Sequence, residues 1–327
     1  MLAPIVLFVY NRPWHTAQTL IALSQNELAK ESDLYIYADG AKENADAEQV
    51  FKIQEVRSII RSQKWCRNVY FIESDTNKGL ANSVIAGVTE IVNKFGKVIV
   101  LEDDLITSTA FLEYMNQALE YYKDSKSVFS ISADLPPNDK LIIPADYKYD
   151  VFASLRNYSW GWASWADRWN QVDWNVNASH DIFTNKQLQA AFNRGGEDLT
   201  NMLHMHTNSQ IDSWCIRFTL SHFIHHAVSI LPCCSYVKNI GFDGSGVHCL
   251  GSENNLHAKE RTNIDLLSKN REPNFLPYIY EDKRIINQFY SYFLPQKRPL
   301  WQKMINRAFQ LFGMKRVFIT KKSVFNV

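Results

Sequence analysis

The sequence predicts an α/β fold in which a mostly parallel β-sheet is flanked by helices. Two observations carry this. Short β-branched or aromatic runs alternate with helix-period segments through the first 135 residues, the order that builds parallel sheets. Those runs are apolar almost throughout, as in strands covered on both faces. A third observation divides the chain. Beyond Asp134-Leu135-Pro136-Pro137 the alternation stops and a second half of different pattern begins.

The expected strands are Ile5–Tyr10, Leu34–Ala38, Val69–Ile72, Val98–Leu101 and Val128–Ser132. Between them, Val50, Ile53, Val56 and Ile60 recur at helical spacing, as do Leu80, Val84, Val88, Ile91 and Phe95. The segment "TSTAFLEYMNQALEYY" opens with capping residues and repeats Phe111, Met115, Leu119 and Tyr122 on one face. In the second half, strands are expected near Leu141–Ile143, Tyr149–Ala153 and Val228–Leu231, with two or three helices before His226. Residues 251–275 are polar and read as irregular. The organisation is therefore 1–135, 136–296 and a tail, 297–327.

Composition excludes some classes. The chain has 327 residues, 46% hydrophobic and 21% charged, an ordinary balance for a globular protein. A net charge of +1 gives no global field toward nucleic acid, and no nucleic-acid partner is expected. "MLAPIVLFVYNRP" lacks the basic start of a signal peptide and reads as a buried first strand. No stretch approaches the roughly 20 apolar residues of a membrane span. Five cysteines without a CxxC pair read as reduced thiols, so a cytoplasmic location is expected. The tail departs from neutrality: from Lys297 onward it carries eight Lys or Arg and no acid. Leu300, Met304, Ala308 and Leu311 share one helical face there. Such a helix suits the inner surface of an anionic membrane, or a packed helix with solvated charges.

The chemistry is announced by "VIVLEDDLI", residues 98–106, where Glu102, Asp103 and Asp104 end the fourth strand. Ligands of open α/β sheets bind beyond the carboxyl ends of the strands. Three adjacent carboxylates repel one another, and a divalent cation relieves the repulsion. Hard oxygen ligands suit Mg²⁺ or Mn²⁺, which commonly take one or two carboxylates plus substrate phosphates. A solvated acidic turn is the bland alternative. Against it stand Asn11-Arg12-Pro13 ending strand one, Asp39-Gly40 ending strand two, and Asn77-Lys78-Gly79-Leu80 opening the helix after strand three. A guanidinium, a carboxylate and a helix N-terminus beside a divalent metal suit a nucleoside diphosphate.

In this order, "VYNRP", "YADGA", "NKGLANSV" and "VLEDDL" resemble the nucleotide-sugar half of GT-A (Rossmann-like) glycosyltransferases. "NRP" and "NKGLA" are similar to family 2, and "EDDL" followed by "FLEYM" to the N-acetylglucosaminyltransferase I type. The resemblance implies that Asp104 is the direct metal ligand and that Glu102 and Asp103 face the donor sugar and ribose. It also implies that Arg12 and Asp39 hold the nucleotide. In the acceptor-side half, "YSWGWASW" resembles an aromatic Gly-Trp segment, implying that Trp160, Gly161 and Trp162 line the cleft. "QIDSWCIRF" resembles an Asp-Trp helix, implying Asp212 as catalytic base. That pattern expects an acidic pair where this chain has one Asp, so Asp243 in the Gly-rich loop "NIGFDGSGVH" stands as second candidate. His248 in that loop is a further candidate for metal or phosphate.

The expected reaction is metal-dependent, inverting transfer of a hexosyl or N-acetylhexosaminyl group from a nucleotide-sugar donor to a hydroxyl of a glycan or lipid-linked acceptor, as in surface polysaccharide synthesis. Two other classes fit less well. A sugar-phosphate nucleotidyltransferase usually has a Gly-rich phosphate loop after strand one, absent from "VYNRPWHTAQ". A carbohydrate-binding protein would explain the Trp cluster but not the acidic triplet beside Arg12 and Asp39. His222, His225 and His226 read as a partly buried helix face, not a zinc site.

Overall fold

The computed structural model describes residues 1–136, 140–243 and 272–293. The first half follows the predicted alternation. β1 (Ile5–Val9) leads to α1 (Pro13–Ser24), β2 (Asp33–Ala38) to α2 (Ala47–Arg61), and β3 (Asn68–Glu73) to α3 (Leu80–Phe95). Then come β4 (Lys97–Glu102), the short β5 (Leu105–Thr107), α4 (Phe111–Tyr121) and β6 (Val128–Ser132). Local chemistry sets the boundaries. Pro13 occupies the first turn of α1, where a missing N–H costs nothing. Asp46 caps α2 by accepting from the Gln49 amide at 2.7 Å.

The second half adds β7 (Val151–Ser154), β8 (Trp162–Trp165), α5 (Ala166–Trp169), α6 (Ser179–Thr184), α7 (Lys186–Phe192) and α8 (Leu199–Thr207). It ends with α9 (Trp214–Ile224), β9 (Val228–Pro232), β10 (Val237–Asn239) and α10 (Lys283–Tyr292). One sheet joins both halves, in the order β3-β2-β1-β4-β8-β6-β9-β7. β1 to β4 are parallel, and β6 and β9 run with them. β8 and the edge strand β7 run the other way. β5 and β10 form a separate antiparallel pair.

Two expectations change. Trp162, expected to line the cleft, instead starts a central strand, Trp162–Trp165, with Val100 opposite it. Residues 141–143 are not a strand, and Leu141 instead plugs a small cluster with Phe152, Leu231 and Ile285. The tail, 297–327, and most of 251–275 lie outside the described residues.

Strand alternation splits the core in two. Ile99 and Leu101 of β4 face a cluster containing Leu20 and Leu23 of α1. Val98 and Val100 face a cluster containing Val84 and Val88 of α3 and Trp214, Cys215 and Phe218 of α9. α1 and α9 therefore cover opposite faces of the same strand, and this places the two sides of the site.

On the α9 side, His222 is fully buried. Its Nδ1 lies 2.7 Å from the Phe218 carbonyl and its Nε2 2.9 Å from Ser130 Oγ. The neutral tautomer with hydrogen on Nδ1 satisfies both contacts. Burial lowers its pKa from 6.5 to about 4. The unfolded ring takes a proton near 6.5 and the folded ring resists it, so stability falls as pH drops through that window. We expect His222 to cost up to about 3 kcal/mol of stability between pH 7 and pH 4. Urea midpoints across that range check this: the slope with pH flattens in His222→Gln.

Candidate functional site

The site is built where β1, β2 and β4 stop. Arg12 follows β1 and precedes the first turn of α1. Its Nη2 donates to Asp103 Oδ1 and, at 3.0 Å, to Asp104 Oδ2. All three side chains are mostly shielded from solvent. Burial works against the Arg12 cation, but the two carboxylates outweigh it and hold its pKa above the usual arginine range.

The acidic turn is pinned from two directions. From α1, Thr19 Oγ1 donates to the Asp103 carbonyl at 2.8 Å and accepts from the Leu105 amide at 3.1 Å. From β10, the Ile240 amide donates to the Asp104 carbonyl at 2.9 Å. The next residue, Gly241, passes so close that a Cβ there would sit 2.2 Å from Asp104 Oδ2 and 2.9 Å from Arg12 Nη1. Only glycine fits against the cluster.

Glu102 points the other way. It continues the Val98–Val100 face, toward α9. Burial pushes its pKa up to about 8, Asp104 and Asp103 add to the shift, and Arg12 opposes it. On α9, burial pushes the Cys215 thiol up to about 12, and the Glu102 charge adds a smaller push.

Asp39 ends β2 and works as a clasp. Its carboxylate accepts from the amides of Gly40 (2.9 Å), Lys78 (2.9 and 3.1 Å) and Gly79 (3.1 Å), and from Asn77 Nδ2 (3.0 Å). The amides of Lys78 and Gly79, expected to face a diphosphate, are thus already engaged by Asp39. Asn11 lies half-buried between β1 and Arg12.

The acceptor-side candidates divide. Trp162 is 1% exposed and stacks on Trp214 and Trp169, with centroids 4.9 and 5.5 Å away. It belongs to the core and not to a cleft, because alternation along β8 sends it inward. Gly161 is buried, with φ 64° and a carbonyl accepting from the Ala133 amide at 2.7 Å. A Cβ there would meet Val237 Cγ1 at 3.0 Å, so the glycine permits a close backbone approach. Trp160 is half-buried and edge-on to Phe242 at 5.6 Å, beside Gly241.

The two candidate bases fall on opposite sides of β4. Asp212 is exposed and precedes Ser213, which caps α9. It pairs with Arg217, whose Nη2 donates to Asp212 Oδ1 at 2.8 Å. Asp243 lies on the α1 side, its Oδ2 3.2 Å from His15 Nε2. His248 lies outside the described residues. Sequence reasoning missed His15 and Thr19. They follow Arg12 by three and seven residues, and with buried Thr16 they form a polar stripe on α1 that could have marked them.

No family model matches the chain, and no curated protein matches it. Solved structures do. The chain is similar to S. aureus TarS (TM-score 0.39, 11% identity, 72% of this chain and 36% of that one). It is similar to mouse xyloside xylosyltransferase 1 (0.37, 10%, 70% and 84%) and to a UDP-glucose pyrophosphorylase complexed with UDP-glucose (0.37, 10%, 80% and 97%). The chain thus spans about a third of the length of TarS. Likenesses this loose carry no activity across, and the functional reading rests on the chain's own residues.

The tryptophan assignment has a direct consequence. Trp162→Ala is expected to lose about 3–5 kcal/mol of stability, the usual cost of emptying a buried aromatic site. Trp160→Ala should cost clearly less. Urea denaturation of the two variants separates them, and equal losses would make Trp160 a core residue too.

Proposed function

We propose that the chain is a GT-A-type glycosyltransferase that moves a sugar from a nucleoside-diphosphate donor to a hydroxyl acceptor, with inversion and with help from a divalent cation. The observation that supports it best is the convergence of Arg12, Asp39, Glu102, Asp103 and Asp104 at the ends of three neighbouring strands. The residues suit Mg²⁺ or Mn²⁺. Asp103 and Asp104 offer hard oxygens, and Gly241, with no side chain, lets the backbone pass directly against Asp104 Oδ2. Among the described residues no three metal-ligating side chains stand together, so part of the coordination falls to donor phosphates. When bound, the cation stabilises charge on the departing diphosphate.

The remaining work falls to side chains. Arg12 offers a second positive charge to the diphosphate. Glu102, on the α9 side, is placed to hold donor-sugar hydroxyls. Asp212 takes the acceptor's proton as the hydroxyl attacks, help typically worth about 10²–10⁴-fold. Segment 239–243, with Trp160 packed against Phe242, shields the leaving-group side from water. The basic tail, Lys297–Val327, is proposed to bring the enzyme to an anionic membrane carrying a lipid-linked acceptor. No helix among the described residues is long and apolar enough to cross a membrane.

A thermal-shift panel of nucleotide sugars, with and without Mn²⁺, tests the donor site. One donor should raise stability by about 2.7 kcal/mol at a hundredfold excess over its dissociation constant. The shift should require metal and vanish in Asp104→Ala. Turnover should release nucleoside diphosphate; pyrophosphate release would make the chain a nucleotidyltransferase. Co-flotation with phosphatidylserine vesicles should disappear when residues 297–327 are removed.

A further inference from the structure

The geometry points to Arg12 as an internal counter-cation that competes with the divalent ion for Asp103 and Asp104, so that metal enters together with the donor and not before it. This rests on the metal-dependent reading above.

One guanidinium nitrogen, Nη2, serves both carboxylates, and the Asp104 oxygen it contacts is the one that Gly241 presses against. Asp104 Oδ2 therefore has a cation on one side and backbone on the other. An ion such as Mg²⁺ binds a carboxylate oxygen at about 2.0–2.1 Å. Placed on Asp104 Oδ2, it would stand next to the positive Nη2, in surroundings where like charges repel strongly. Two carboxylates and Arg12 sum to one negative charge. A bare divalent ion turns that three-group total positive; Glu102, a further carboxylate whose charge reaches them, projects from the opposite face of β4.

A diphosphate changes the balance. It brings the negative charge that the metal-loaded cluster lacks, and planar guanidinium groups bind phosphate oxygens well. Arg12 can then leave Asp104 for the phosphates while the cation takes its place. Arg12 lies at the junction of β1 and α1, so its side chain can swing while its backbone stays fixed. Metal and diphosphate are thereby coupled: each binds better once the other has arrived, by the same factor in either order.

The test is Mn²⁺ bound to the full chain, read by equilibrium dialysis as protein-bound metal in excess of free and pyrophosphate-complexed ion, with Mn²⁺ alone and with Mn²⁺ plus inorganic pyrophosphate. The wild type should bind Mn²⁺ at least tenfold more tightly when pyrophosphate is present. Arg12→Gln should bind Mn²⁺ alone about tenfold more tightly than the wild type and lose most of the pyrophosphate gain. Arg12→Met, uncharged and of similar reach, repeats the test should Arg12→Gln fail to fold. If the wild type binds Mn²⁺ but the variants bind it no better, or worse, Arg12 is a structural partner of the carboxylates and the exchange is overturned. If neither the wild type nor the variants take up Mn²⁺ with or without pyrophosphate, the metal-dependent reading itself falls, and the exchange with it.

Discussion

The arrangement depends on one electrostatic problem and its solution: Asp103 and Asp104 are nearly buried at the end of β4, and Arg12 bridges both, offsetting one of their two charges. Two carboxylates about 4 Å apart repel by about 4 kcal/mol at an effective dielectric constant of 20. Burial of that pair is tolerable because a guanidinium bridges it. The bridge ties the start of α1 to the end of β4. Thr19 repeats the tie one helical segment later, and the Ile240 amide brings the small β5–β10 sheet onto the same turn. The backbone around the acidic residues is therefore fixed by three elements before any ligand arrives, which is the preorganisation that electrostatic catalysis requires.

Asp39 solves a parallel problem at the end of β2. Four backbone or amide groups converge on its carboxylate, from Gly40 and from Asn77, Lys78 and Gly79. The entry to α3 is thus held against the end of β2. A carboxylate that accepts so many hydrogen bonds has little freedom to turn. Asp39 thus shapes the backbone at the end of β2, whatever it binds in the proposed function.

Legibility in the sequence followed the range of the forces. β1, β2, β4 and β6 were legible because each is a continuous apolar run between helix-period segments, and burial on both faces leaves that imprint locally; β3 carries a similar run at the exposed edge of the sheet. The residues at their ends were legible because strand ends in such sheets are where ligands bind. β8 was not legible. "WGWASW" mixes Trp with Gly, Ala and Ser, and it becomes a strand only because it fills the gap between β4 and β6, from which it is distant in sequence. The fate of Trp162 follows from that pairing and could not be read without it. The Leu141–Ile143 run failed for the converse reason, since a short apolar run can plug a cluster beneath α10 as readily as extend a sheet. Gly241 was visible as part of a Gly-rich loop, but its reason, the close approach to Asp104, is a tertiary fact.

The two-sided core bears on which carboxylate can act as base. In a direct displacement the nucleophile and the leaving group stand on opposite sides of the reacting carbon. The proposed function puts the diphosphate with Arg12, Asp103 and Asp104, and Arg12 opens α1. Asp243 stands there too, against His15, where it would face the departing phosphates. Asp212 lies at the head of α9, on the side toward which Glu102 projects. Arg217 holds one of its oxygens, which fixes the orientation of the carboxylate while the other oxygen is left to accept a proton. Glu102, half-buried at the end of β4, projects toward the α9 side, where the proposed reading has it hold donor-sugar hydroxyls. In the proposed displacement Asp212 is therefore the preferred base, because it lies at the head of α9 while Asp243 lies against α1.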